Sequence, residues 1–151
     1  MSLDPVLQNR FLVLLTGFDE PSVKKRIYLP TSALSGKYVL GIAQTGSGKT
    51  CSFNWPTLVH ITDQRELARG EGPIALALVP TRELAMQIYS EARKYCKVYN
   101  IHMVCAYDDS GKYEQSKALE QGAEVAIATP GRMIDLIRMK VIRRVDFLLT
   151  Q

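Results

Sequence analysis

Short apolar runs alternate along the chain with longer amphipathic segments. The run Ile74–Val79 is apolar at every position, which is typical of a strand buried on both faces of a parallel sheet. Phe11–Leu15 is also apolar, and its position before Gly17-Phe18 predicts the end of a short helix. We predict strands at Tyr38–Ala43, Ile74–Val79, Ile101–Tyr107, Glu124–Ala128 and Val145–Leu149.

The segments between these strands have helical patterns. Leu84, Ile88 and Ala92 recur at helical spacing after Thr81, which can cap that helix. Asp63–Pro73 is polar and is expected to be an exposed connection. Further helices are predicted at Lys49–Thr62, with a kink or a shortened first part at Pro56, at Lys112–Gln121 and from Thr129 to about Lys140. This alternation predicts an α/β fold with a mostly parallel, doubly wound sheet.

Ala43–Thr50 reads Ala-Gln-Thr-Gly-Ser-Gly-Lys-Thr between a predicted strand and a helix, which is the order of a phosphate-binding P-loop. Gly46 and Gly48 let successive N–H groups point at phosphate oxygens. Lys49 adds a positive charge, and Thr50 would place its hydroxyl on Mg²⁺. The alternative is a Gly-Ser turn that precedes Lys-Thr by coincidence. The predicted nucleoside triphosphate site comprises Ala43, Gln44, Thr45, Gly46, Ser47, Gly48, Lys49 and Thr50.

Composition sets only modest limits on function. The 151 residues are enough for one domain with a real core, and their net charge of +4 is a mild indication of a polyanionic partner. Cys51, Cys96 and Cys105 show no paired spacing, which predicts reduced intracellular thiols rather than disulfides or a zinc site. Without an apolar run of membrane-spanning length or a signal peptide, we expect a cytosolic or nuclear protein with no membrane partner.

Two further segments follow predicted strands, where parallel α/β folds bind ligands. These are Pro80-Thr81-Arg82-Glu83-Leu84-Ala85 and Thr129-Pro130-Gly131-Arg132. Together with Ala43–Thr50 they resemble the DEAD-box family of ATP-dependent RNA helicases. The resemblance runs from Gly17-Phe18 to Phe147-Leu148, and Asp63–Pro73 is similar to the branch associated with pre-mRNA splicing. It implies a P-loop RecA-like fold of three layers.

The resemblance implies ATP and Mg²⁺ as ligands, with Lys49 and Thr50 in catalysis and Thr50 on the metal. It also implies single-stranded RNA as the partner, bound through its backbone irrespective of sequence. Hydroxyls, guanidinium groups and helix N-termini are the usual donors to phosphate. Taken singly, Thr81 and Thr129 could be only helix caps, and Arg82 could be a solvated charge. The implied RNA-binding residues are Pro80, Thr81, Arg82, Thr129, Pro130, Gly131 and Arg132.

Two positions depart from the family pattern. Family members carry a Gln that reads adenine a few residues after a Gly-Phe pair. Here the pair is present as Gly17-Phe18, but Lys25 stands where that Gln is expected. An ammonium only donates hydrogen bonds, so we expect a weaker preference for ATP over GTP, with Phe18 and Lys25 still beside the nucleotide.

The second departure is Asp108-Asp109, which stands where the family has two glycines. Two carboxylates beside a polyanion predict weaker RNA binding, most visible at low salt, and stronger binding after Asp109→Gly. The alternative is a shifted loop, since Ser110-Gly111 follow immediately.

Val145–Gln151 aligns with the family strand that leads into Asp-Glu-Ala-Asp, but the 151 residues contain neither that motif nor a second RecA-like domain. We therefore expect a lead-in segment at 1–16 and a partial RecA-like domain at 17–151 that is incomplete at its C-terminus and hydrolyses ATP poorly. Two hypotheses stay open: the N-terminal part of an ATP-dependent RNA helicase, or a catalytically inactive truncated remnant that binds nucleotide or RNA weakly. A third hypothesis, another P-loop enzyme such as a small-molecule kinase, is disfavoured because the two post-strand segments would then be coincidences.

Overall fold

A computed structural model of the protein describes residues 11–16, 34–35, 39–42, 49–108, 111–142, 145 and 147–150. The strands in these ranges are β1 (Phe11–Thr16), β2 (Val39–Ile42), β3 (Ala75–Leu78), β4 (Met103–Ala106), β5 (Val125–Ala128) and β6 (Phe147–Thr150). The helices are α1 (Lys49–Thr62), α2 (Arg82–Cys96), α3 (Lys112–Glu120) and α4 (Pro130–Arg138).

The strands form one parallel sheet in the order β2-β1-β6-β3-β5-β4. On β3, Leu76 lies opposite Ala126 of β5 on one side and Leu148 of β6 on the other. A strand with parallel neighbours on both sides, connected to them through helices, is the arrangement of an α/β fold. The predicted fold class and its mostly parallel sheet are confirmed.

Helices cover both faces of the sheet. Ala75 and Ala77 belong to a core cluster with Ile61 of α1 and Ile88 of α2. Leu76, between those two alanines, belongs to a second cluster with residues of α3 and α4, among them Leu119 and Leu136. Because successive side chains of a strand point to opposite faces, the continuous apolar run of β3 fills both layers of core.

The N-terminal strand β1 corrects one prediction. The helix end expected at Phe11–Leu15 is wrong, because these residues pair with β2 through Val13 and Val39 and with β6 through Phe11 and Phe147. The run Phe-Leu-Val-Leu-Leu has no polar positions for the solvated side of a helix, whereas a central strand has no solvated side. The predicted lead-in segment 1–16 therefore contributes its last residues to the sheet.

The connection between α1 and β3 is mostly exposed, as predicted. Arg65 donates to both carboxylate oxygens of Glu71 at 2.8 and 2.6 Å, and Gly70 N–H donates to Glu120 O at 2.9 Å. The helix α1 runs through Pro56 without interruption, so it is not shortened there. In the described ranges, the structure contains no helix that is long and apolar enough to cross a membrane.

Candidate nucleic-acid interface

The carboxyl ends of β3, β5 and β4 lie side by side, with β5 in the middle. Val79, Tyr107 and Thr129 are the first residues after these three strands. Both post-strand segments predicted to bind RNA therefore meet at this edge, together with the loop that follows β4. The parallel sheet produces this meeting, since all its strands end on the same side.

Thr81 begins α2 as its N-cap, with an extended backbone at φ −131° and ψ 154°. Its Oγ1 accepts a hydrogen bond from the N–H of Leu84 at 3.3 Å, which satisfies a donor of the first turn and confirms the predicted cap. A hydroxyl that accepts in this way can still donate its own proton to a ligand. Pro80, Thr81 and Arg82 are all exposed.

The guanidinium of Arg82 lies over the ring of Tyr107, with Cζ 4.7 Å from the ring centroid. Arg82 follows β3 and Tyr107 follows β4, so this cation–π contact spans the end of β5. Such a contact at an exposed position contributes about 0.5–1 kcal/mol and limits the directions that the guanidinium can take. It keeps a positive charge at the carboxyl edge.

Arg132, in the first turn of α4, is buried, with 5% of its surface exposed. Its Nε donates to Tyr107 O at 3.2 Å and its Nη2 to Asp108 O at 2.7 Å. Gln115 of α3 also donates to Tyr107 O, at 3.3 Å. A buried cation requires such compensating acceptors, and here they are the main-chain oxygens of the loop after β4. Arg132 therefore holds that loop against α4.

The N-terminus of α4 is formed by Thr129 as N-cap and Pro130 as first helical residue, as predicted. Unlike Thr81, Thr129 makes no side-chain cap, and its buried Oγ1 has no hydrogen-bond partner in the described part of the chain. Gly131 is exposed, and a Cβ at this position would lie 3.3 Å from Oδ2 of Asp108. Only glycine fits here without displacing the carboxylate.

The predicted nucleotide site falls at the other half of the same edge, because β1 and β6 separate β2 from β3. Lys49 and Thr50 are the first residues of α1, and Thr50 is half-buried. The remaining residues assigned to this site lie outside the described residues: Phe18, Lys25, Ala43, Gln44, Thr45, Gly46, Ser47 and Gly48. Asp109 of the acidic pair also lies outside them.

Sequence analysis assigned no site role to Tyr107 or Gln115. The usable signal for Tyr107 was its position, an aromatic residue directly after a predicted strand that ends at the ligand edge. At the opposite edge of the sheet, residues such as Arg65, Tyr99 and Glu124 line a cavity of about 510 Å³, and none of the predicted site residues lies there. The predicted site residues that the structure describes therefore lie at the carboxyl edge.

The chain is similar to known proteins in sequence and in fold. A family model for the DEAD/DEAH box helicase matches residues 26–150. ATP-dependent RNA helicase DDX42 of Homo sapiens is 50% identical over 118 residues, which cover 77% of this chain and 13% of the relative. DEAD-box ATP-dependent RNA helicase 24 of Oryza sativa subsp. japonica is 49% identical over 127 residues, which cover 84% of this chain and 16% of the relative. The chain thus spans a small part of these curated relatives.

Two solved structures are similar in fold. The RNA-helicase Prp28 from Chaetomium thermophilum bound to ADP matches with a TM-score of 0.73 and 38% identity, over 88% of this chain and 33% of that one. The yeast DEAD-box splicing factor Prp28 matches with a TM-score of 0.74 and 31% identity, over 88% of this chain and 32% of that one. These matches confirm the RecA-like fold predicted from the sequence.

Proposed function

Because the chain belongs to the DEAD/DEAH box helicase family, we propose that it is the N-terminal part of an ATP-dependent RNA helicase that binds ATP–Mg²⁺ and single-stranded RNA at one edge of its sheet. The contact of Arg82 with Tyr107 carries this proposal, because it joins the first post-strand segment to the loop after β4, which Arg132 of the second segment also binds through Tyr107 O. The RNA partner also implies an intracellular location, in the nucleus or the cytoplasm.

The RNA backbone lies across the starts of α2 and α4. Arg82 supplies an exposed positive charge, and the hydroxyl of Thr81 donates to a phosphate while its oxygen keeps the cap of α2. The exposed N–H of Gly131 belongs to the first turn of α4, where helix donors have no partner within the helix. Arg132 contributes by holding the loop after β4 in place. None of these groups reads a base, so binding is independent of sequence.

The nucleotide lies at the carboxyl end of β2. Thr50 suits a Mg²⁺ ligand, because its half-buried hydroxyl is a hard oxygen donor in the first turn of α1. When bound, Mg²⁺ would neutralise negative charge on the phosphates. Lys49 adds a second positive charge, and α1 is long enough to add the dipole of its N-terminus. The family resemblance assigns Ala43–Gly48 to the phosphates and Phe18 and Lys25 to the base.

RNA binding is tested by fluorescence anisotropy with a labelled oligouridylate. We expect Arg82→Ala to weaken binding about tenfold at low salt, and Arg93→Ala to change it less than about twofold. Arg93 is the matched control, because it is also exposed on α2 but lies in the last turn, away from the carboxyl edge. Equal losses in the two variants, or no binding by the unmodified chain, would contradict the proposal.

Nucleotide binding is tested by displacement of a fluorescent ATP analogue. Lys49→Ala should abolish binding, whereas Lys94→Ala, which removes an equal charge from the last turn of α2, should not.

GTP should compete almost as well as ATP because of Lys25. The 151 residues contain no Asp-Glu-Ala-Asp, so we expect background hydrolysis. Dissociation constants of about 1 mM for both nucleotide and RNA would instead favour the alternative, a catalytically inactive remnant.

A further inference from the structure

Asp108 places a carboxylate inside the RNA-binding edge described above. We propose that Asp108 is a tethered anion that occupies the phosphate position at the start of α4 and so weakens RNA binding by this edge. The inference rests on the proposed RNA-binding function and adds a built-in competitor to it.

The side chain of Asp108 faces the first turn of α4. Its Oδ2 lies 3.3 Å from the position that a Cβ of Gly131 would take, so the carboxylate fills the space directly above this glycine. Its Oδ1 lies 3.7 Å from Nε of Arg132. A phosphate that approached the N–H of Gly131 would have to share or take this space.

Arg132 has acceptors other than this carboxylate. Its guanidinium donates to the main-chain oxygens of Tyr107 and Asp108, at 3.2 and 2.7 Å, and both oxygens would remain after substitution of the Asp108 side chain. At 3.7 Å the carboxylate itself is beyond ordinary hydrogen-bond distance. The side chain of Asp108 is 67% exposed, so its charge also faces the solvent from which RNA arrives.

Electrostatics gives the direction of the effect. The N-terminus of a helix attracts anions, and Asp108 already supplies one, so an incoming phosphate gains less there and also meets a like charge. Repulsion between charges several ångströms apart is strong at low ionic strength and weak once the screening length falls below their separation. Asp108 therefore limits affinity most when salt is low.

The test compares Asp108→Asn with Asp63→Asn in oligouridylate anisotropy. Both substitutions remove one carboxylate with almost no change of shape, but Asp63 is an exposed residue just after the end of α1, at the opposite edge of the sheet. We expect Asp108→Asn to bind RNA roughly three to ten times more tightly than the unmodified chain at about 50 mM salt, with the gain falling below about twofold near 500 mM. Asp63→Asn should change affinity less than about twofold at either salt concentration.

The outcomes separate this inference from the function on which it rests. If Arg82→Ala weakens binding but Asp108→Asn does not strengthen it relative to Asp63→Asn, RNA binding stands and the tethered anion is overturned. No binding by any variant overturns both. Thermal unfolding of each variant checks folding, and Asp108→Ser provides the same charge change if Asp108→Asn is unstable.

Discussion

Arg132 is a buried cation that donates hydrogen bonds to the main-chain oxygens of Tyr107 and Asp108. Asp108, only 3.7 Å away, has the opposite charge and is largely exposed. The two neighbouring residues therefore differ in role: Arg132 stabilises the loop, whereas the Asp108 carboxylate faces solvent. A buried, hydrogen-bonded charge stabilises the local structure, whereas an exposed charge attracts or repels a charged ligand that approaches it.

Asn54 is a buried amide on α1, with 8% of its surface exposed. Its Nδ2 has no hydrogen-bond partner within the described ranges, and a buried donor without a partner costs about 1–3 kcal/mol. We expect Asn54→Val to raise the free energy of unfolding by about 1 kcal/mol in urea denaturation, because it replaces the amide with apolar atoms of similar volume. Asn54→Asp is the matched control and should lower it. A less stable Asn54→Val variant would contradict the prediction.

Cys96 and Cys105 are free thiols, and burial raises the pKa of each to about 11. At pH near 8 only about one thiol in a thousand is then ionised, so alkylation by iodoacetamide should be at least about a hundredfold slower than in urea. Peptide mass spectrometry measures the rate for each cysteine.

The raised pKa values also predict how stability depends on pH. Between the ordinary thiol pKa of 9.0 and the folded value of about 11, the folded state holds protons that the unfolded state has released. The contribution of the protonated thiols to the free energy of unfolding is therefore fully present below pH 9.0. It is lost as pH rises from 9.0 to about 11. In the alkylation experiment, equal rates of iodoacetamide labelling with and without urea at pH near 8 would show that the thiols are not shielded.

At the scale of elements, α2 and α4 begin at the same edge but are built differently. Thr81 caps α2 through its side chain, whereas α4 relies on Pro130 and on the bonds that Arg132 makes to the loop after β4. The loop in turn presents Tyr107 to Arg82. The helices α2 and α4 and the loop after β4 thus depend on one another for the positions of the residues that we propose to contact RNA.

Tyr107 is therefore a positioning residue for Arg82. We expect Tyr107→Leu to weaken RNA binding about two- to fivefold, because the guanidinium loses the ring that restricts it. Tyr107→Phe keeps the aromatic face and should bind like the unmodified chain. In the background of Arg82→Ala, Tyr107→Leu should have no further effect, which a double-mutant cycle measures. A loss that persists without Arg82 would mean that the ring acts in another way.

At the scale of the whole molecule, the sheet depends on a strand from near the start of the chain. β1 lies between β2 and β6, and β2, which leads to the P-loop, has β1 as its partner strand in the described sheet. The two halves of the carboxyl edge are therefore held in one sheet through β1.

Deletion of residues 1–16 should remove this link. We expect the shortened chain to lose cooperative unfolding and to aggregate, since the edges of β2 and β6 would be left unpaired. A chain that lacks only residues 1–10 keeps β1 and is the control; it should unfold cooperatively in urea. If both shortened chains are equally stable, the sheet does not depend on β1.

Much of the fold could be predicted from the sequence, because its signals are local. The apolar run at β3 predicted a strand buried on both faces, and Thr81 and Thr129-Pro130 marked the starts of α2 and α4. The helix end predicted at Phe11–Leu15 was wrong for a physical reason: a short apolar run fits either element, and only its pairing with β2 and β6 decides between them.

By itself, the sequence determined the α/β class, the family and the chemical types at the site, since these reside in periodicity and in residues at fixed spacing. Only the tertiary structure decided what those residues do to one another. That Arg82 meets Tyr107, that Arg132 is buried on main-chain oxygens and that Asp108 faces Gly131 depend on the order of strands in the sheet. Strand order follows from packing between segments far apart in the chain, and no local pattern encodes it.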